Sequence, residues 1–383
     1  MSHNSTVFSQ LLKLVSRHEF EADAKRHHRG QKLRKMSRWS QFVAMSLGQL
    51  AGRSSLRDIV SNLQVQGHKL YHVGVRPVSR SSLARVNEQQ PYTLYEALFE
   101  RLLRRCQPVA PGHGFRFKNK LYSLDASTID LCLSMFPWAK FRQTKGAIKL
   151  HMGMDHEGYL PSFLTITDGK TQDIIAARAL SLPKHSIVVV DRGYSAYDWF
   201  SQLNTSGIYF VTRARKHMRY AVKRRHPVTG GQGITSDQTI GFTSERGKNY
   251  PHALRRIGYK DLETGKHFFF LTNNFTLAAK TIADIYKSRW QIELFFKWIK
   301  QNLKVKSFVG TSKNAVMTQI WVAMCMYLLL SYIKFMNRIG WSLQQILRVL
   351  QLNLFERRPL LELFTVGLKP PDPPARQLQL AWS

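Results

Sequence analysis

Hydrophobic residues recur at helical spacing along residues 1–111 of the chain. Residues 37–50 carry apolar side chains at positions 39, 42, 43, 45, 47 and 50, and residues 54–63 repeat this spacing. Two further helical patterns follow at residues 79–86, where serines are available as caps, and at residues 92–105. Because apolar positions three and four apart line one face of a helix, we expect residues 1–112 to form a helical domain.

The pattern changes to alternating and continuous apolar runs between residues 115 and 210. Residues 121–125 alternate as in a half-buried strand, and residues 187–190 form an unbroken β-branched run, which is typical of a strand covered on both faces. Further predicted elements are strands at residues 147–154, 159–167 and 208–212, with helices at residues 172–180 and after Gly193. Three strands, helix, strand, helix and strand is the order of an RNase H-like α/β core, which we assign to residues 113–213.

A glycine-rich, basic segment interrupts this core. Residues 214–270 hold twelve Lys and Arg against four acidic residues, and glycines separate short β-like stretches. We expect residues 214–272 to form a β-rich insertion, and residues 273–340 to complete the core with a glutamate-bearing helix and a buried helix. Residues 341–383 should form a C-terminal helical segment and a disordered tail, which begins at the proline-rich stretch from Lys369.

One apolar stretch, residues 315–333, runs nineteen residues without a charge and meets the length criterion for a membrane span. It contains Thr318, Gln319 and Ser331, and Lys334 follows at once. Because the rest of the chain is soluble in composition, we favour a buried core helix and expect no membrane partner. The N-terminus shows no export signal, and three scattered cysteines form no disulfide or zinc pattern, so we expect a cytoplasmic protein.

The charge balance narrows the choice of partner. The chain has 57 Lys and Arg against 24 Asp and Glu, a formal net charge of +33. Repulsion on this scale makes sense if the working partner is a polyanion. The basic residues are spread along the whole chain instead of clustering beside one apolar helix, which favours nucleic acid over an anionic membrane surface.

Two aspartates lie at informative places in the predicted core. Asp125 follows Leu124 on the first strand, where a lone charge would be costly to bury. Asp191 lies where the β-branched strand gives way to the Gly193 turn, and ligands collect at such strand ends in open α/β sheets. Each aspartate taken singly is equally well explained as a turn former or helix cap. If the carboxylates converge, they suit Mg²⁺, which prefers carboxylate oxygens and water.

A polar stripe lies on the helix predicted at residues 281–301. Tyr286, Arg289, Glu293 and Lys300 stand at offsets 0, 3, 7 and 14, which places them within an arc of roughly 60°. A solvent-facing stripe stabilised by an Arg289–Glu293 pair is one explanation. The helix is apolar around much of its girth, however, so we favour a stripe that faces a site.

The spacing of Tyr286, Arg289, Glu293 and Lys300 matches the Y-R-E-K signature, and the chain resembles the bacterial DDE transposases of insertion-sequence family four. The tetrad Asp191-Arg192-Gly193-Tyr194, followed by residues 210–215, resembles the region of the family's second acid. Residues 8–11, 54–59 and 79–83 are similar to the family's N-terminal domain, so the resemblance spans roughly residues 5–335.

The resemblance implies roles for particular residues. Asp125, Asp191 and Glu293 would be the catalytic residues and the ligands of two Mg²⁺ ions, with Mn²⁺ as a substitute. Arg289 and Lys300 would bind DNA phosphates, and Tyr286 would lie on the DNA. The implied further DNA contacts are Arg192, Tyr194, Arg213 and Arg215.

The resemblance also implies an activity and partners. The protein would be a DNA transposase that binds the terminal inverted repeats of an insertion sequence and catalyses cut-and-paste transposition through strand cleavage, hairpin formation and strand transfer. Its partners would be repeat and target double-stranded DNA and a second copy in a synaptic homodimer, within the bacterial nucleoid. Two alternatives stay open: an RNase H-like nuclease without strand joining, and a catalytically silent DNA-binding protein derived from a transposase.

In one respect the sequence departs from the family. Better-known relatives stack a flipped base on a tryptophan of the insertion, but no tryptophan occurs between Trp199 and Trp290. Any aromatic face can stack on a base, so Tyr220, Phe242 or Tyr250 could substitute for it.

Overall fold

The computed structural model describes residues 5–143, 145–228 and 232–365. Its helices are α1 (Val7–Leu12), α2 (Arg17–Arg26), α3 (Arg38–Leu50), α4 (Leu56–Val65), α5 (Arg80–Gln89), α6 (Thr93–Cys106), α7 (Asp173–Arg178), α8 (Tyr197–Thr205), α9 (Ala279–Ser288), α10 (Trp290–Asn302), α11 (Lys313–Met336) and α12 (Leu343–Asn353). Its strands are β1 (Leu121–Leu131), β2 (Gly146–Asp155), β3 (Leu160–Asp168), β4 (Ile187–Val190), β5 (Tyr209–Arg213), β6 (Tyr220–Arg225), β7 (Ile234–Phe242), β8 (Leu254–Lys260) and β9 (His267–Thr272).

The chain divides into two compact units. The helical unit comprises Met1–Pro111, Ile129–Gly146 and Phe296–Ser383, and the sheet unit comprises Gly112–Thr128 and Ala147–Phe295. Strand β1 and helix α10 each begin in the sheet unit and end in the helical unit.

Serine side chains mark where several helices of the helical unit begin. Ser37, Ser55 and Ser79 each accept a hydrogen bond from the backbone N–H three residues on, at the starts of α3, α4 and α5. This contact satisfies one of the backbone donors that a helix start leaves without a partner. The helices predicted in the N-terminal region are confirmed as α3 to α6.

Helix α11 is the centre of the helical unit, and α3, α5 and α6 pack against it. By length and composition it is the one candidate for a membrane span among the described residues, and 94% of its apolar window is buried inside the structure. A core helix is therefore what the structure shows. The same packing means that the N-terminal helices share their core with the C-terminal part of the chain, whereas the sequence predicted a separate domain ending at residue 112.

Contacts between the chain ends explain this difference. The Phe8 N–H donates to the Leu354 carbonyl at 2.8 Å, and the Gln10 side chain donates to the Arg358 carbonyl at 2.7 Å. Partners almost 350 residues apart leave no periodic signal in a sequence. The disordered tail predicted from Lys369 lies outside the described residues.

The sheet unit is built on one nine-stranded sheet, in the order β3-β2-β1-β4-β5-β9-β8-β7-β6. Strand β4 pairs in parallel with β1 on one side and with β5 on the other. The predicted order of three strands, helix, strand, helix and strand is confirmed by β1 to β5 with α7 and α8, and it fits an RNase H-like core. Strands β6 to β9 of the predicted insertion extend this sheet, because β9 pairs antiparallel with β5.

Candidate active site

Asp125 and Asp191 follow paired positions on neighbouring parallel strands. Leu124 of β1 lies opposite Val190 of β4, and the next residue in each case is the aspartate. The two aspartates therefore follow neighbouring positions at the same end of the pairing between two adjacent strands. The negative charge of Asp191 acts on Asp125, which is consistent with this placement.

The Asp191 side chain has a local structural role as well. Its Oδ1 accepts the Gly193 N–H at 2.8 Å and caps the short turn that follows β4. A Cβ at position 193 would lie 2.9 Å from the same oxygen, so glycine provides the space for this contact. Asp191 therefore caps this turn and also follows the strand position that pairs with Leu124.

Arg289 links two of the predicted acids. Its guanidinium lies 3.4 Å from Asp125 Oδ2 and 2.6 Å from Glu293 Oε1. The i,i+4 pair with Glu293 could be anticipated from sequence, but the contact with Asp125, 164 residues away, could not. Glu293 and Asp125 of β1 therefore contact the same guanidinium group.

The helix that carries the polar stripe is not continuous. It divides into α9 and α10 at Arg289, whose N–H donates to Tyr286 O, while the Ile292 N–H donates to Arg289 O. These are bonds to the carbonyl three residues back, tighter than those of an α-helix. The prediction of one helix over residues 281–301 is corrected accordingly: Tyr286 belongs to α9, and Glu293 and Lys300 belong to α10.

Electrostatics in the site favour an added cation. Burial raises the pKa of Asp125 to about 6, against the charge of Arg289 and a hydrogen bond from the Ala126 N–H, which lower it. The negative charges of Glu293 and Asp191 raise it further. The three carboxylates therefore carry more negative charge than the one guanidinium of Arg289 neutralises.

The two tyrosines of the predicted motifs are buried. Tyr286 is 8% exposed and packs on the Phe270 ring at 4.8 Å, and the Arg289 guanidinium lies 5.8 Å from the centre of its ring. It therefore packs beside the arginine. Tyr194 is 3% exposed in the core cluster beside Trp199, so we assign it to packing and correct the prediction that it contacts DNA.

The other predicted DNA contacts differ in exposure. Arg192 and Arg215 are exposed, and Arg215 also donates to the Ser195 carbonyl at 3.2 Å. Arg213 is half-buried, with its guanidinium 4.9 Å from the Phe268 ring centre. Lys300 lies in the helical unit, where burial and the charge of Lys306 lower the pKa of its amine.

The carboxylates fit a divalent metal by their chemistry. Asp125, Asp191 and Glu293 offer only oxygen ligands, the set that Mg²⁺ and Mn²⁺ prefer, and their mutual repulsion would be relieved by a cation. Within the described ranges, no three His, Cys, Asp or Glu side chains are grouped tightly enough to hold a metal. In this arrangement the Arg289 guanidinium, between two of the acids, supplies the positive charge.

Comparison with known proteins identifies the family of this chain. Residues 116–329 match the family described as "Transposase DDE domain", and residues 3–76 match a domain of unknown function, DUF4372. A Sinorhizobium fredii protein named as transposase y4zB is 31% identical over 77% of this chain and 82% of its own length. A protein of Geobacillus stearothermophilus, named as a transposase for insertion sequence element IS5377, is 26% identical over 66% of this chain and 67% of its own.

A third relative, from Synechocystis, is named as a transposase for insertion sequence element IS4SA. It is 22% identical over 82% of this chain and 88% of its own length. Among solved structures, a piggyBac transposase synaptic complex with hairpin DNA aligns over 91% of this chain and 78% of that one at 11% identity, with a TM-score of 0.44, too weak a likeness to assign a fold. The family match covers more than half of the chain and includes Asp125, Asp191 and Glu293. The chain therefore belongs to the bacterial DDE transposases, which are polynucleotidyl transferases and endonucleases.

Proposed function

We propose that this transposase binds the terminal inverted repeats of an insertion sequence and moves the element by cut-and-paste transposition, with strand cleavage, hairpin formation and strand transfer. The main support for the proposal is that Arg289 contacts both Asp125 and Glu293, while Asp191 follows the adjacent strand. Phosphoryl transfer needs acids that converge on metal ions and a cation that binds phosphate oxygens; Asp125 and Glu293 share the guanidinium of Arg289, and Asp191 would join them when metal is bound.

The roles of the residues follow from their contacts. Asp125, Asp191 and Glu293 would hold two Mg²⁺ or Mn²⁺ ions, which when bound supply Lewis-acid stabilisation to the reacting phosphodiester. Arg289 would bind non-bridging phosphate oxygens, and Tyr286 would keep its guanidinium oriented. Lys300 is proposed as a second phosphate ligand.

DNA outside the acidic site would meet the exposed arginines. Arg192 and Arg215 are accessible for phosphate contacts, and the half-buried Arg213 is proposed as a weaker one. Two repeat ends must be held together for strand transfer, so the working complex would be a homodimer on repeat and target DNA, within the nucleoid. The helical unit would recognise the repeats.

In the proposed hairpin step, an aromatic face would stack on a flipped base. Tyr250 is 2% exposed, and Phe242 packs on Tyr197 at 4.3 Å, so neither offers a free ring. Tyr220 is half-buried against the guanidinium of Arg256, whose centre lies 4.9 Å from its ring. Of the three aromatics proposed from sequence, Tyr220 is the one we retain.

The proposal is tested by Glu293→Gln, which keeps the size of the side chain and removes its charge. We expect loss of Mg²⁺-dependent nicking of a labelled inverted-repeat duplex by at least about 100-fold, because several kcal/mol of transition-state stabilisation depend on the acids. Glu245→Gln is the matched control, since Glu245 is an exposed acid of the same unit whose side chain is 85% accessible. It should nick at the wild-type rate.

Strand joining separates transposition from simple cleavage. The wild-type protein should join a pre-cut repeat end with a free 3′-OH to a target duplex, whereas an RNase H-like nuclease would yield no joined product. If Glu293→Gln nicked as the wild type does while its melting curve was unchanged, Glu293 would not belong to the site. If the wild-type protein bound the repeats without nicking them, a catalytically silent DNA-binding protein would be the better description.

A further inference from the structure

A basic cleft of about 880 Å³ opens in the helical unit, well separated in sequence from the acidic residues. One wall comes from the end of α3, the loop after it, α4 and the turn that follows α4. The other wall comes from α12 and residues 354–358, the segment that hydrogen-bonds with α1. Residues 47–69 and 351–358 together form the cleft.

Positive charge dominates the lining. Arg53, Lys69, Arg357 and Arg358 line the cleft with a single acid, Glu356, which lies 3.9 Å from Arg358. No ion pair involving Arg53 or Lys69 occurs among residues 5–143, 145–228 and 232–365. Cations gathered around a concave surface repel one another, so the cleft favours an anionic occupant.

The rest of the lining suits a sugar–phosphate chain. The amides of Asn62, Gln66 and Gln351 offer N–H donors for phosphate oxygens, and Leu352, which is 86% exposed, offers an apolar contact for deoxyribose. A second copy of this chain is a poor occupant, because each copy carries a net charge of +33. Duplex DNA supplies the required row of negative charges.

We infer that this cleft binds the backbone of duplex DNA through phosphate contacts that do not depend on base sequence. The inference rests on the proposed function, in that DNA is the substrate, but it concerns a surface that the acidic residues do not form. Arginine and lysine contacts to phosphates set the position of a protein on DNA and carry no sequence information. The cleft would therefore hold DNA whether or not that DNA contains a repeat.

The test uses the full-length double variant Arg53→Ala/Lys69→Ala and a 30-base-pair duplex of random sequence. Binding is followed by fluorescence anisotropy at several salt concentrations. We expect affinity to fall about tenfold or more at low salt, and the slope of log affinity against log salt to decrease by about 2, since each lost phosphate contact removes about 0.9. A duplex with an inverted repeat should show the same decrease.

Two matched variants isolate the effect. Lys13→Ala/Arg348→Ala removes two exposed cations of the same unit that do not line the cleft, and it should change the slope little. Arg53→Lys/Lys69→Arg keeps both charges and should retain the wild-type slope. Melting curves establish that all the variants are folded.

The outcomes separate this inference from the proposed function. An unchanged slope in Arg53→Ala/Lys69→Ala, or an equal loss in Lys13→Ala/Arg348→Ala, overturns the cleft assignment even if the wild-type protein cleaves repeat DNA. A reduced slope in the cleft variant alone supports it, even if no cleavage is seen. If the wild-type protein bound no duplex DNA, both proposals would fail.

Discussion

Asp125 has a half-buried carboxyl in the proposed catalytic group, and this burial has a cost for stability. Burial raises its pKa from 3.8 to about 6, although the charge of Arg289 acts in the opposite direction. A carboxyl whose pKa is higher in the folded state than in the unfolded state destabilises the fold wherever it is ionised. The cost is fully present above about pH 6 and disappears as the pH falls towards 3.8.

Asp125→Asn should therefore stabilise the metal-free protein while it abolishes cleavage. The expected gain at pH 7.5 is up to about 3 kcal/mol, because ionising a carboxyl whose pKa is raised from 3.8 to about 6 costs free energy that the asparagine avoids. Thermal unfolding in EDTA at pH 7.5 and at pH 4 measures the gain, which should be lost at the lower pH. Asp284→Asn, at an acid whose side chain is 42% exposed, should change stability by no more than about 0.5 kcal/mol. A variant less stable than wild type at pH 7.5 would contradict the raised pKa.

Helix α11 shows why polar residues occur in an otherwise apolar run. The Gln319 side chain donates to the Ser307 carbonyl at 2.8 Å and accepts the Val309 N–H at 2.9 Å. It also donates to the carbonyl of Lys304, whose N–H is bound by Gln49 of α3 at 2.7 Å. A buried glutamine thus satisfies the backbone of the segment between α10 and α11.

Gln319→Leu should destabilise the protein by about 2–4 kcal/mol, because it removes three side-chain hydrogen bonds to partly buried backbone groups while it preserves side-chain volume. Urea unfolding followed by circular dichroism measures the change. Gln301→Leu, at an exposed position of α10, is the control and should stay within about 0.5 kcal/mol of wild type. Equal stability of the two variants would mean that the Gln319 hydrogen bonds contribute nothing net.

The elements were predictable to the extent that their signals are local. Strand β4 was located from the β-branched run at residues 187–190, and the start of α5 from the serines near Ser79, because periodicity and capping act within a few residues. The break at Arg289 was missed, since the residues around it continue an apolar helical pattern. The pairing of Arg289 with Asp125 and the sharing of one core by both chain ends depend on distant contacts, which sequence periodicity cannot reveal.

At the scale of the whole molecule, a net charge of +33 acts on every association that the protein makes. Two free copies repel one another, and added salt screens this repulsion over a Debye length of about 8 Å at 0.15 M. Association with DNA responds in the opposite direction, because added salt reduces the gain from counterion release. The proposed homodimer on two DNA ends should therefore form through the DNA that neutralises it.

Mass photometry across a salt series tests this coupling. Without DNA we expect monomers at 50 mM salt, with any self-association increasing as salt is raised. With an inverted-repeat duplex we expect complexes of two chains and two duplexes at 50 mM salt, which dissociate as salt is raised, because DNA contacts are lost faster than repulsion is screened. The two salt dependences should thus have opposite signs. A stable dimer at 50 mM salt without DNA would show that a specific protein interface overcomes the charge, and the assembly would then not depend on DNA for neutralisation.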